Sequence, residues 1–306
     1  MLKTVKADIG DPQRPLYVGF LVGPTGVGKT ELVRVLAEAI QGHADAFCRI
    51  DMNTLAQDHY AAAITGAPPG YVGSKEGNSV IDIEKAQGSY GRPGIVLLDE
   101  IEKAGPQVVR ALLNVIETGQ LRLTSGGKTI DFRNSLIFMT SNLGAKEVQA
   151  YENRLAHSWR GLHPGALFLS QEKKQRKVKR LIDTAMLQHF DPEFINRFDQ
   201  ILLFKRIEES WLDNLIDIEV DKLNARLARH HCRIHLDSSA RSELAKAYDP
   251  QFGARSIRRA CRQHLELAVA NFLLQPTDHP IHKTIPLTLT LTVSVIDDRW
   301  VTETSN

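Results

Sequence analysis

Apolar residues follow two different rhythms along the chain. Up to about residue 204, short apolar runs recur: LYVGFLV (16–22), FCRIDM (47–52), GIVLLDE (94–100) and SLIFMTSN (135–142). Runs of this length, bounded by glycine- or proline-bearing turns, predict buried strands. Helical or glycine-rich stretches separate them, and the first puts Leu32, Val35, Leu36, Ala39 and Ile40 on one helical face. Buried strands alternating with helices predict an α/β fold with a parallel sheet.

Beyond residue 204 the spacing becomes mainly helical. Leu212, Leu215, Ile216, Val220, Leu223 and Leu227 form one stripe, and SSARSELAKAY and ARSIRRACRQHLELAVANFLL continue the pattern. The strict alternation of LTLTLTVSV (287–295) predicts a half-buried strand. The expected organisation is a large α/β domain over 1–204 and a smaller, mainly helical domain with a few strands over 205–306. No internal repeat is visible. Within the large domain, about 150–180 reads as a surface insertion that carries SWRGLHPG and leads into a basic helix, KKQRKVKR, ahead of DPEFINRF (191–198).

Composition narrows the class only modestly. With 306 residues, 42% of them hydrophobic and 24% charged, the chain can build one large core or two ordinary ones. A formal charge of +2 names neither a nucleic acid nor an acidic membrane as partner. Cys48, Cys232 and Cys261 are odd in number and contain no CxxC pair, which argues for a reducing compartment over a disulfide framework. The start, MLKTVKADIG, has no apolar signal core, and no apolar run approaches the roughly 18 residues of a membrane span. A cytoplasmic protein with no membrane partner is expected.

The chemistry concentrates where the strands end. Gly23, Pro24, Thr25, Gly26, Val27, Gly28, Lys29 and Thr30 spell GxxxxGK[ST] between a predicted strand and a predicted helix. In that setting the glycines let backbone N–H groups curl around phosphate and the helix N-terminus favours negative charge. Lys29 then reaches the terminal phosphates and Thr30 ligates Mg²⁺, so ATP and Mg²⁺ are the expected cofactors. IVLLDE ends a second strand in Asp99, the metal-side acid, and Glu100, the water-activating base. FMTSN ends a third in Asn142, placed to orient the attacking water.

These three motifs, in this order, resemble the AAA+ ATPases. GAPPGYVGSKEG, LLDEIEKA, TIDFRNSLIFMTSNLGA, PEFINRFD and YDPQFGARSIRRA resemble the second ATPase module of the Clp/Hsp100 unfoldases and disaggregases, over roughly residues 8 to 300. The resemblance implies that Arg197, in INRFD, reaches the nucleotide of a neighbouring subunit, and that Arg255, in GARS, is a second sensor on the small domain. It implies that Gly70, Tyr71, Val72 and Gly73 form a pore loop gripping substrate. LTSGGKTIDF stands where the second pore loop belongs but lacks the acidic, glycine-rich wording expected there. The implied machine is a homo-hexameric ring that hydrolyses ATP and threads unfolded or aggregated polypeptide past Tyr71.

Several features depart from that pattern. The N-terminal substrate domain, the first ATPase module and the VIGQ-like segment that closes over adenine have no counterpart here, so the chain reads as a fragment or as a shortened single-module relative. No Ile-Gly-Phe or Ile-Gly-Leu tripeptide is present, which leaves protease docking unsupported and favours remodelling over degradation. HHCRIH offers His230, His231, Cys232 and His235 as soft metal ligands, but where a helix yields to a strand such histidines suit the helix C-terminus. KKQRKVKR could meet nucleic acid, yet basic runs beside a helix are usually solvated faces. Two rival readings stay open. A nucleic-acid loader or initiator would have no need of GYVG, and a nucleotide-binding scaffold without turnover would have no need of intact Lys29, Asp99, Glu100, Asn142 and Arg197.

Overall fold

A computed structural model describes residues 7, 9–56, 81–89, 91–122, 129–158, 171–274, 289–297 and 299–304. It comprises two units, Met1–Pro24 with Gly28–Phe204, and Thr25–Val27 with Lys205–Asn306.

In the first unit the described elements run β1 (Tyr17–Val22), α1 (Lys29–Gln41), β2 (Cys48–Asp51), α2 (Ile83–Gln87), β3 (Gly88–Ser89), β4 (Arg92–Asp99) and α3 (Pro106–Thr118). They continue through the β5–β6 hairpin (Gln120–Arg122, Thr129–Asp131), β7 (Ser135–Ser141), α4 (Ala145–Ser158), α5 (Gln171–His189), α6 (Pro192–Ile195) and β8 (Gln200–Leu203). The main sheet has the order β2-β4-β7-β1-β8, all parallel, with β3 added antiparallel to β4. A parallel sheet hides both faces of its inner strands, whereas edge strand β2 alternates buried Cys48 and Ile50 with exposed Arg49 and Asp51, and edge strand β8 is mostly exposed. β1 and β7 are buried at every position.

Strand alternation divides the core in two. Val18, Phe20, Val22, Val96, Leu98, Ile137 and Met139 face one side, where α3 supplies Val108, Leu112, Val115 and Ile116 and α5 supplies Val178, Ile182 and Met186. Leu21, Ile95, Leu97, Leu136 and Phe138 face the other, against Val33 and Ala37 of α1. The buried stripe of α1 therefore differs from the face read in the sequence. Leu32, Leu36 and Ile40 flank Val33 and Ala37, whereas Val35 is 56% exposed. Steps of 100° put Val35 well outside the stripe centred on Val33 and Leu36. Helix ends follow local chemistry: α3 starts on Pro106, whose missing N–H costs nothing there, and stops at Gly119 in the left-handed region at φ 63°.

The second unit contains α7 (Leu212–Leu227), β9 (Cys232–Leu236), α8 (Ser238–Lys246), α9 (Ala254–Ala260), α10 (Glu266–Leu274), β10 (Leu289–Ile296) and β11 (Arg299–Thr304). The stripe of α7 packs Ile216, Val220, Leu223 and Leu227 against Cys232, Ile234 and Leu236 of β9 and Leu291 and Val293 of β10. β10 lies parallel to β9 and antiparallel to β11, a strand that the sequence reading did not single out. Ile296 pairs with Arg299, and Asp297 adopts φ 49°. Asp-Asp there is a weaker hairpin signal than Asn-Gly or Asp-Gly. Cys48, Cys232 and Cys261 are free and buried, and burial pushes the Cys261 thiol up to about 12. Among the described residues no group of histidines, cysteines and carboxylates could hold a metal ion, and no helix is long and apolar enough to cross a membrane.

Asp237 caps α8, accepting from the Ala240 N–H at 2.8 Å and from the Ser239 hydroxyl at 2.7 Å. The Ala240 N–H foremost holds its carboxyl below the usual carboxylate range. A depressed folded pKa stabilises above the unfolded value and loses that effect as pH falls through the folded one. Asp237→Ala should therefore cost about 1 kcal/mol at neutral pH, a gap that closes once the pH drops below about 4. Denaturant titration of both proteins at several pH values measures it.

Candidate nucleotide site

The site residues of the first unit gather because strands with a common direction end on a common edge. Register sets Val22 beside Ser141 and Leu98 beside Met139, so the loops after β1, β4 and β7 leave the sheet side by side. The Gly23 N–H donates to the Ser141 carbonyl at 3.2 Å, tying the first loop to the end of β7. A Cβ on Gly23 would lie 2.4 Å from the Phe204 carbonyl oxygen, so only glycine lets the chain turn here. Gly26 and Gly28 take φ 74° and 97°, and Gly28 opens α1.

Lys29 is the first residue of α1 and only 9% exposed. Its Nζ donates to the carbonyls of Gly23 at 2.6 Å and Pro24 at 2.8 Å, and to Asn142 Oδ1 at 2.8 Å. An ammonium has donors only, so this contact fixes the Asn142 amide with its oxygen toward Lys29 and its NH₂ turned away. Two predicted residues, 113 positions apart, are thereby joined.

Asp99 and Glu100 lie one strand over. The Thr140 hydroxyl donates to Asp99 Oδ1 and accepts from the Glu100 N–H at 3.1 Å. Arg49, on neighbouring β2, pairs with Asp99 Oδ2 at 2.5 Å. Glu100 itself adopts φ 57° and ψ 52°, a left-handed conformation uncommon outside glycine. Glu102 accepts the Asn142 N–H on Oε1 at 3.0 Å. Thr140, Arg49 and Glu102 were not singled out by the sequence. DEIE and MTSN hold two of them beside named residues, but contacts across 40 to 50 positions leave no spacing signal.

Arg197 does not join this group. It follows α6 in a turn pinned by an aromatic cluster, with Phe198 stacked on Phe20 at 4.9 Å and edge-on to Phe194 at 5.1 Å. Its guanidinium pairs with Glu117 at 2.5 Å and is 43% exposed. Arg255 stands exposed in the first turn of α9, in the second unit. Gly70, Tyr71, Val72 and Gly73 lie outside the described residues.

Residues 14–201 match the family described as AAA domain (Cdc48 subfamily), and residues 207–285 match the C-terminal, D2-small domain, of ClpB protein. The chain is 51% identical to the ATP-dependent protease ATP-binding subunit-like protein AmiB of Pseudomonas aeruginosa, over 91% of this chain and 75% of that one. This chain belongs to the Clp/Hsp100 family of AAA+ proteins. Its likeness to larger Clp/Hsp100 members covers a smaller share of them. Identity is 40% with the chaperone protein ClpB of Propionibacterium freudenreichii subsp. shermanii, over 89% of this chain and 29% of that protein. It is 37% with the negative regulator of genetic competence ClpC/MecB of Bacillus subtilis, over 91% and 33%. The parallel sheet followed by a helical unit with a few strands is the architecture of an AAA+ domain with its small domain, as the sequence pattern predicted.

Removing the Thr140 hydroxyl tests how tightly the two acids are held. Thr140→Val keeps the shape of a side chain that is 1% exposed but withdraws a donor from Asp99 and an acceptor from Glu100. The expected loss is about 1–3 kcal/mol of unfolding free energy, read by denaturant titration, with a larger proportional fall in nucleotide turnover.

Proposed function

We propose that this chain is an ATP-hydrolysing module that unfolds or disaggregates protein, working as a homo-hexameric ring in the cytoplasm. The observation that supports it most is the bond from Lys29 to Asn142, with Asp99, Thr140 and Glu100 linked beside it at the ends of adjacent strands. Family membership points the same way. The names of the relatives include a chaperone and ATP-binding subunits.

The residues fit ATP with Mg²⁺. The loop Gly23–Thr30 offers backbone donors at a helix start, and Lys29 can exchange the Gly23 and Pro24 carbonyls for phosphate oxygens. The Thr30 hydroxyl and the Asp99 carboxylate are hard oxygen donors suited to Mg²⁺, and a carboxylate has about four lone-pair positions, so its bonds to Thr140 and Arg49 leave capacity. Bound there, the ion would neutralise charge on the phosphates. Glu100 takes the proton of the attacking water as the bond from the γ-phosphorus to its bridging oxygen breaks. The NH₂ of Asn142, turned away from Lys29, donates to the water or the γ-phosphate. Arg197 serves the site of the neighbouring subunit, and Arg255 reports nucleotide state from the small domain. Tyr71, between Gly70, Val72 and Gly73, grips polypeptide by area and stacking without demanding one sequence.

Glu100→Gln keeps the phosphate cradle and removes the base, so fluorescent ATP should bind as in the parent while turnover falls by roughly 10²-fold or more. Arg197→Ala should likewise be slow alone. Mixing the two variants makes interfaces where an intact Glu100 meets an intact Arg197, and turnover should rise well above both, since a finger contributes about 10³-fold or more. Differently tagged subunits establish mixing. Verified mixed rings no more active than the average of the two variants would remove the trans role of Arg197, and parent rates in Glu100→Gln would remove Glu100 as base.

A further inference from the structure

Glu102 stands two residues beyond the proposed base and outside every role assigned above. It follows Glu100 in the short 3₁₀ turn Ile101–Lys103, whose Ile101 is wholly buried and so anchors the turn to the core. From there its Oε1 accepts the Asn142 N–H at 3.0 Å, a bond between the loop after β4 and the loop after β7. Its other oxygen, Oε2, is buried without a hydrogen-bond partner among the described residues. A buried carboxylate oxygen left without a donor costs free energy of order 1–3 kcal/mol, so the arrangement is not what stability alone selects.

The geometry points to Glu102 as a positioning residue for hydrolysis, which fixes the Asn142 backbone so that its side chain is held between Lys29 and the reacting γ-phosphate. Asn142 has three anchors: Lys29 Nζ on its side-chain oxygen, the Ala145 N–H on its carbonyl at 3.2 Å, and Glu102 on its backbone nitrogen, the one that reaches across from the loop after β4. Without the bond to Glu102, rotation about the Asn142 N–Cα bond can swing the amide while the bond to Lys29 stretches to follow. Asn142 follows the fully buried Ser141 at the end of β7, and the turn bond from Ala145 holds its carbonyl but not its N–H. Because Glu102 shares its turn with Glu100, the proposed base and the residue aligning its water are gripped by one short piece of chain. A shift of a fraction of an ångström in either is then felt by both.

This inference rests on the ATPase reading and is tested by a double-mutant cycle on the whole chain. Glu102→Ala should lower kcat on the order of ten- to a hundredfold while KM for ATP and the affinity for fluorescent ATP move by no more than about threefold. Glu102→Gln retains an oxygen that can accept the Asn142 N–H and should recover most of that loss. In an Asn142→Ala background, where no side chain remains to be aligned, Glu102→Ala should cost little further, so the two losses are strongly non-additive. Circular dichroism melts establish that each variant is folded. Losses that multiply, or an Asn142→Ala background in which Glu102→Ala still costs its full factor, would overturn the positioning role while leaving the ATPase reading intact. A misfolded Glu102→Ala shifts the test to Glu102→Gln and Glu102→Asp, where a fall in Asp alone, absent in the Asn142→Ala background, supports the role and equal rates in all overturn it. A folded parent that binds no ATP and turns none over would instead overturn the function itself.

Discussion

Parallel strands that begin at one end of a sheet finish together at the other, and in this chain the finish is level to within a residue. Val22 pairs with Ser141 and Leu98 with Met139, so three loops that are far apart in sequence emerge within hydrogen-bonding reach. The contacts between loops at the candidate nucleotide site follow from that register. Slipping one strand by a residue would turn its side chains to the opposite face and separate the ends. The two apolar layers make such a slip costly, since odd and even positions of β1, β4 and β7 are committed to different helices. Core packing and site geometry are here the same constraint.

That dependence explains what could be read without coordinates. The loop from Gly23 to Thr30 is legible because its signal is local: glycines where φ is positive, then a lysine opening a helix. Asp99, Glu100 and Asn142 are legible as polar residues closing apolar runs, and the buried strands follow from the runs themselves. Thr140, Arg49 and Glu102 are not, because each acts through a partner on another strand and looks ordinary in its own segment. The face of α1 was misjudged for a related reason. The stripe through Leu32, Val35, Leu36, Ala39 and Ile40 is turned away from the one the sheet covers, which runs through Val33 and Ala37, because alanine and valine at neighbouring positions make both faces apolar enough to serve. β11 escaped because RWVTET is short and its turn carries Asp297 where glycine or asparagine would have announced a hairpin.

Arg197 is held from two directions. Phe194 and Phe198 bracket it in the chain and pack with Phe20 and Phe190, so the turn is fastened to the inner strand β1. On the polar side, Arg14 donates to the carbonyls of Ile116 at 3.3 Å and Arg197 at 2.9 Å, a cation seated at the negative end of α3. Glu117, on the same helix end, takes the guanidinium. The turn is packed against the core while the charged tip remains partly in solvent, an arrangement compatible with the role proposed for Arg197.

Glu100 is the residue whose backbone pays for its place. At φ 57° a side chain with a Cβ costs about 1–2 kcal/mol relative to the right-handed region, and glycine there would not. Under the role proposed for Glu100, turnover and folding free energy place opposite demands on this one backbone position.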